Sequence, residues 1–248
     1  MNSGNDNGQK AGEQDPFWSS VASFGLDKVF VLPEWIDELR GGKTGRPEKA
    51  ASLNVAGRLK ALHDRVGDCR GCRLCEERNS IVYGAGNPAS GILFIGEGPG
   101  ANEDLKGKPF VGRAGQLLDK ILAAIDLNRE TVFITNIVKC RPPGNRTPSR
   151  DETAACWWIL EEQIRIMQPG VIVSLGASAS RTMIGSREGI GKLRGRIHRF
   201  GDIPVLPTYH PAALLRTGAL KRPVWEDMKM LRELLSELGL PRGGMKNG

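Results

Sequence analysis

The sequence predicts an α/β protein, a three-layer α/β/α sandwich around a mainly parallel four-stranded sheet. Two observations carry that expectation. Four short apolar runs, ILFIG (92–96), VFIT (132–135), VIVSLG (171–176) and IPVLPTY (203–209), have the length of buried strands. Stretches with helical spacing of apolar residues lie between them. Strands that alternate with helices need crossover connections, so the sheet is mainly parallel and both its faces are covered. A chain of 248 residues has ample material for the core that such a sandwich requires.

From the N-terminus, residues 1–15 are rich in Gly, Asn and Gln and poor in apolar side chains, the composition of a disordered segment. Residues 16–40 hold Trp18, Phe24, Phe30, Leu32, Trp35 and Ile36, enough for a short segment that docks on a protein partner. GGKTGRPEKA (41–50) reads as a linker. The expected organisation is an N-terminal extension (1–50), a globular domain (51–240) and a C-terminal tail (241–248). Within the domain, Leu53, Ala56, Leu59, Leu62 and Val66 sit at helical spacing and predict a helix running up to Cys69. ILFIG is the first strand and ends in a Gly-Pro turn. AGQLLDKILAAIDL (114–127) is an amphipathic helix, and VFIT the second strand. Ser149-Arg150-Asp151-Glu152 is a capping box opening a helix to about Gln168. VIVSLG is the third strand, followed by a short helix, and IPVLPTY the fourth. Trp225, Met228, Leu231, Leu235 and Leu238 mark a last helix, stopped by Gly239.

The net charge is +7 and the pI about 9.3. Residues 1–50 are net −2 and the remainder net +9. A basic globular part suits a polyanionic partner. The N-terminus has no basic region followed by an apolar stretch, and no apolar run approaches the ~18–20 residues of a membrane span. The expectation is a cytoplasmic protein with no membrane association.

In sheets of this kind ligands bind beyond the carboxyl ends of the strands. ILFIG is followed by Glu97-Gly98-Pro99-Gly100, VFIT by Asn136, and IPVLPTY by His210-Pro211. A carboxylate, an amide and an imidazole therefore converge on one rim. Gly98 and Gly100 suit a close approach of backbone to ligand. The pattern is neither G-x-G-x-x-G nor a P-loop, which argues against a nucleotide cofactor.

The chain has five cysteines, three of them in CRGCRLC (69–75). An odd count in a reducing compartment argues against a disulfide framework. Cys69 and Cys72 form a C-x-x-C pair, and Cys140 and Cys156 lie farther on. Such a set can hold zinc or an iron–sulfur cluster, and spacing does not choose between them.

These residues resemble the family 4 uracil-DNA glycosylases. The resemblance rests on CRGCRL (69–74) with Arg78, GEGPGANED (96–104), GKPFVGRAGQLLDKIL (107–122), TNIVKCRPPGNRTP (135–148), Cys156 and HPAALLR (210–216), and covers roughly residues 53–240. It implies an α/β/α fold with a four-stranded parallel sheet and a 4Fe-4S cluster held by Cys69, Cys72, Cys140 and Cys156, with Cys75 outside the pattern. The implied activity is excision of uracil from single- or double-stranded DNA, by a monomer working at the nucleoid in base excision repair. Phe110 becomes the face on which uracil stacks, in a pocket that also uses the Gly98 backbone. The Asn136 amide can pair with O4 and N3–H of uracil, a pattern that cytosine inverts. His210 is placed to donate to uracil O2 as negative charge develops there, and Glu97 to position the attacking water. Leu214 or Leu215 could wedge into the gap left by the flipped base, and Arg216 could hold a phosphate. Arg141, Arg146, Lys192, Arg194 and Arg196 are further phosphate candidates.

Two rivals stand beside this reading. One is a related protein that attaches covalently to uracil-DNA through a His after the second strand; no His lies between Asn136 and Cys156. The other is a non-catalytic nucleic-acid-binding module with a structural metal site, which has no use for a converging Glu97, Asn136 and His210.

Overall fold

A computed structural model of the chain describes residues 54–240. The expectations for residues 1–50, for Leu53 and the domain start at 51, and for residues 241–248 lie outside the described residues. The strands are β1 (Ala85–Gly86), β2 (Ile92–Gly96), β3 (Phe133–Asn136), β4 (Val171–Leu175), β5 (His198–Phe200) and β6 (Ile203–Thr208), in one sheet of order β1-β3-β2-β4-β6-β5. The inner four, β3-β2-β4-β6, are the expected strands and run parallel. The sheet has six strands rather than four because β1 adds antiparallel to β3 and β5 antiparallel to β6. Neither edge has an apolar run to announce it. β1 is the dipeptide Ala-Gly, and β5 is His-Arg-Phe with its middle residue exposed. Short or charged edge strands of this type discourage pairing with another chain.

The helices are α1 (Val55–Val66), α2 (Ala101–Lys106), α3 (Arg113–Ala123), α4 (Arg150–Met167), α5 (Ala177–Ile184), α6 (Ile190–Leu193), α7 (Pro211–Arg216) and α8 (Lys221–Glu237). One sheet face, with Leu93, Ile95, Phe133, Ile172 and Val205, packs against Leu59 and Leu62 of α1, Ile159 and Leu160 of α4 and Met183 of α5. The other face, with Ile92, Phe94, Ile134, Val173 and Leu206, packs against Leu118 and Leu122 of α3 and Met228, Leu231 and Leu235 of α8. Successive strand residues point to opposite faces, so a strand buried on both reads as a continuous apolar run.

Element ends follow local chemistry. The Asn54 side chain accepts from Gly57 N at 2.9 Å and starts α1. The helix stops at Val66 rather than at Cys69, because Gly67 turns out at φ 46°. The capping box of α4 is present, with Glu152 Oε2 accepting from Ser149 N at 2.8 Å. α3 ends at Ala123, short of Leu127, with Asp126 in the left-handed region at φ 61°. On α8 the buried face passes through Val224 and Asp227, while Trp225 and Leu238 are exposed.

The link from β2 to β3 runs over one face and that from β4 to β6 over the other. The connections therefore part at the carboxyl ends of β2 and β4, where this topology leaves a crevice.

Candidate active site and cysteine centre

Asn136 ends β3 and sits in register with Gly96, the last residue of β2. A Cβ added at Gly96 would stand 2.4 Å from Asn136 Oδ1 and 2.7 Å from Phe110 Cζ. Only a glycine at that strand end lets the amide and the ring close over it. The Phe110 and His210 rings lie 5.5 Å apart, their planes 33° from parallel. Phe110, Asn136 and His210 thus gather at one point of the rim, and Glu97 follows directly on Gly96.

Asn136 is 1% exposed, and its Oδ1 has no hydrogen-bond partner. Leaving a buried acceptor unpaired costs about 1–3 kcal/mol. Natural proteins rarely keep such a group without a use for it.

His210 caps α7, its Nδ1 accepting from Ala212 N at 3.1 Å. That bond makes Nδ1 the acceptor and leaves the proton of a neutral ring on Nε2. Burial first, and then the charge of Arg216, push the His210 pKa down to about 4, against an opposing pull from Glu103. At neutral pH His210 is therefore an uncharged donor. Burial raises the Glu97 carboxyl above its ordinary value, and a hydrogen bond from Ser178, at the start of α5, acts the other way.

The other sequence candidates sit in varied surroundings. A Cβ at Gly98 would meet Val138 Cγ2 at 2.8 Å, so this glycine lets the β2 loop pack on the turn after β3. Leu214 is buried in the core, whereas Leu215 is 45% exposed. Arg216 is exposed in the last turn of α7. Arg194 is committed to the fully buried Asp227, with Nη2 to Oδ1 at 2.7 Å and Nε to Oδ2 at 2.9 Å. Arg146 forms a fork with Glu152, and Arg141 bonds Asn145.

Sequence reasoning missed Gly96, Ser178 and the loop supports Glu103 and Arg129. Gly96 had a signal, a glycine closing an apolar strand. Ser178 and Arg129 had none, because their partners are distant in sequence.

Cys69, Cys72, Cys140 and Cys156 line one small pocket, partly open to solvent, together with Arg78, Ile81 and Lys139. Cys75 is not among its lining residues. Among the described residues no group of three or more His, Cys, Asp or Glu is arranged to hold a metal ion. Arg78 Nη1 donates to Cys140 Sγ at 3.3 Å, and Lys139 N to Cys156 Sγ at 3.3 Å. Arg78 also donates to Cys69 O at 2.7 Å. Burial drives the Cys156 thiol up to about 12, opposed by Lys139. Lys139 is itself fully buried, and burial lowers it to about 7. Its Nζ donates to Thr135 Oγ1, Asn136 O and Gln163 Oε1 at 2.8, 2.7 and 2.8 Å. The turn from Asn136 to Cys140 is also tied to the first strand, Ile137 N donating to Gly96 O and Val138 N to Glu97 O.

At the ends of its parallel strands the sheet gathers an aromatic ring, an unpaired amide oxygen and a neutral imidazole, groups able to stack on and hydrogen-bond a flat polar ligand. The class agrees: residues 83–229 match the family model of the Uracil DNA glycosylase superfamily. Relatives resolve it further. A type-4 uracil-DNA glycosylase of Thermotoga maritima is 44% identical over 185 residues, covering 73% of this chain and 96% of the relative. One from Saccharolobus solfataricus is 44% identical over 187 residues, 72% of this chain and 87% of the relative. One from Sulfurisphaera tokodaii is 43% identical over 185 residues, 71% and 84% of the two chains. The chain belongs to the type-4 uracil-DNA glycosylase family.

Proposed function

We propose that the protein hydrolyses the N-glycosidic bond of uracil in DNA, releasing free uracil and leaving an abasic site, the first step of base excision repair. The observation that carries the pocket assignment is the buried, unpaired Asn136 Oδ1 beside the Phe110 ring. A uracil flipped out of the stack and laid on Phe110 would offer its N3–H to that oxygen and its O4 to the Asn136 NH₂. Cytosine presents the opposite pattern and would leave buried groups unpaired. As the bond breaks, negative charge grows on uracil O2. The Nε2–H of neutral His210 stabilises it, a preorganised donor that needs no proton from solvent. Glu97 orients the attacking water and, as the carboxylate, favours the positive charge on the sugar.

Leu215 is the leucine exposed to fill the gap left by the flipped base, and Arg216 beside it, also exposed, would meet the backbone phosphates. Affinity for DNA should fall steeply with salt, and Arg216→Ala should flatten the log–log slope by about one unit. Titrating a labelled oligonucleotide at several salt concentrations measures this; an unchanged slope returns Arg216 to a solvated surface charge.

Four cysteines around one pocket suit a thiolate-held metal centre, and Arg78 and the Lys139 N–H supply the hydrogen bonds that anionic sulfurs take; the likeness to the type-4 glycosylases favours a 4Fe-4S cluster there over zinc. Cys69, Cys72, Cys140 and Cys156 would hold a 4Fe-4S cluster whose contribution is structural: it cross-links α1's exit, the turn after Asn136 and α4. Cys140→Ser is expected to abolish the visible absorption and lose the iron, about four per chain in the holoprotein. Cys75→Ser is expected to keep both. Stoichiometric zinc without sulfide would contradict the assignment.

The protein is expected to act as a monomer in the cytoplasm, where the chromosome lies. Among the described residues no helix is long and apolar enough to cross a membrane. The activity is tested by incubating the protein with a uracil-containing oligonucleotide, then cleaving abasic sites with alkali. Strand cleavage with free uracil supports glycosylase action. An adduct that survives denaturation points to a covalent binder, and an intact strand to a non-catalytic module.

A further inference from the structure

Phe110 adopts φ 52°, a left-handed conformation unfavourable for a bulky side chain. The surrounding structure must therefore hold it. On one side of the peptide, Glu103 Oε1 accepts from Val111 N and Gly112 N, both at 2.8 Å. On the other, Arg129 Nη1 donates to Pro109 O at 3.1 Å and Nη2 donates to Phe110 O. Asp119 of α3 orients that guanidinium, accepting from Arg129 Nε at 2.7 Å. Beneath the loop, a Cβ on Gly115 of α3 would lie 1.7 Å from Phe110 O, so α3 and the loop are in direct backbone contact. Glu103 comes from α2 and Arg129 from the turn before β3. Two ionised side chains from separate elements thus grip consecutive peptide groups around one aromatic residue.

We infer that Glu103 and Arg129 are positioning residues that fix the Phe110 ring in the orientation on which uracil stacks. The inference rests on the reading of Phe110 as the stacking face. A loop released from this bracket would relax its backbone, and the ring would leave its place against Gly96 and His210. Uracil would then have to order the loop on binding, a cost the bracketed protein avoids. Charge-assisted bonds suit the task, because they are short and directional. The effect should appear in recognition of the free base and leave the grip on the DNA backbone unchanged. A residue that merely stabilised the fold would alter both or neither.

The test measures inhibition by free uracil, kcat and KM on a uracil oligonucleotide, and affinity for an oligonucleotide carrying an abasic-site analogue. Glu103→Ala and Arg129→Gln are expected to weaken uracil inhibition about tenfold or more and to raise KM, with abasic-site affinity unchanged. Glu103→Gln keeps an acceptor for both N–H groups and should recover most of the affinity. Arg129→Lys can reach one carbonyl but not both and should fall between, which keeps the test open if the larger truncations fail to fold. Phe110→Leu is the reference. If it weakens uracil inhibition while folded Glu103→Ala and Arg129→Gln, or Arg129→Lys in their place, leave it unchanged, the bracket is not a positioning device. If Phe110→Leu itself has no effect, the stacking reading fails and this inference fails with it.

Discussion

Asn136→Asp is expected to lose about 10²-fold or more of its uracil excision and to gain detectable excision of cytosine. The carboxylate keeps an acceptor for uracil N3–H but turns the donor to O4 into a second oxygen. One mismatched buried polar group costs about 1–3 kcal/mol, and repulsion between the carboxylate and O4 adds to it. The same oxygen can accept from the N4 amino group of cytosine. Burial favours the protonated acid, whereas Lys139, whose Nζ lies 2.7 Å from the backbone carbonyl of residue 136, favours the anion when it carries its proton. The first form can donate to cytosine N3 and the second accept from N4, so each leaves a route to cytosine. Single-turnover cleavage of matched oligonucleotides carrying U or C measures the change. A folded variant that cuts uracil at the wild-type rate would remove Asn136 from the pocket.

His210→Ala is expected to lower kcat by about 10²–10³-fold with little change in KM, the effect of deleting one donor to a developing anion. The wild-type pH profile carries the companion result. With its pKa held at about 4, His210 stays neutral through the range in which an ordinary imidazole titrates. The rate should therefore not fall as pH rises through about 6.5, which a mechanism requiring imidazolium would demand. The stability sign follows: the unfolded chain takes up the proton before the folded one. The contribution of His210 is present above about pH 6.5 and is lost as pH falls towards about 4. A rate that drops across pH 6–7 with the fold intact would show that the charged ring is the active form.

What the sequence made legible follows from what the physics localises. The inner strands are buried on both faces, so each is a continuous apolar run, and the residue after each run falls on the rim. That is why Glu97, Asn136 and His210 could be read together. The edge strands β1 and β5 pair on one side only and left no pattern. The state of Phe110 was equally hidden, since its φ depends on Glu103, Arg129 and Gly115, none adjacent to it. The arginines were the weakest ground. Arg194 looks like any basic residue until Asp227, on a different helix, is folded against it. The choice between Leu214 and Leu215 hangs on the phase of the six-residue helix α7, which composition cannot supply. The cysteines announced a shared centre through their types, and the fold brings the four around one pocket.

A crystal structure of the protein with uracil bound tests the central claim most directly. The account predicts the base flat against Phe110, its N3–H within hydrogen-bond distance of Asn136 Oδ1 and its O2 facing His210 Nε2. A uracil bound elsewhere, or bound at the rim with Asn136 Oδ1 still unpaired, would contradict it.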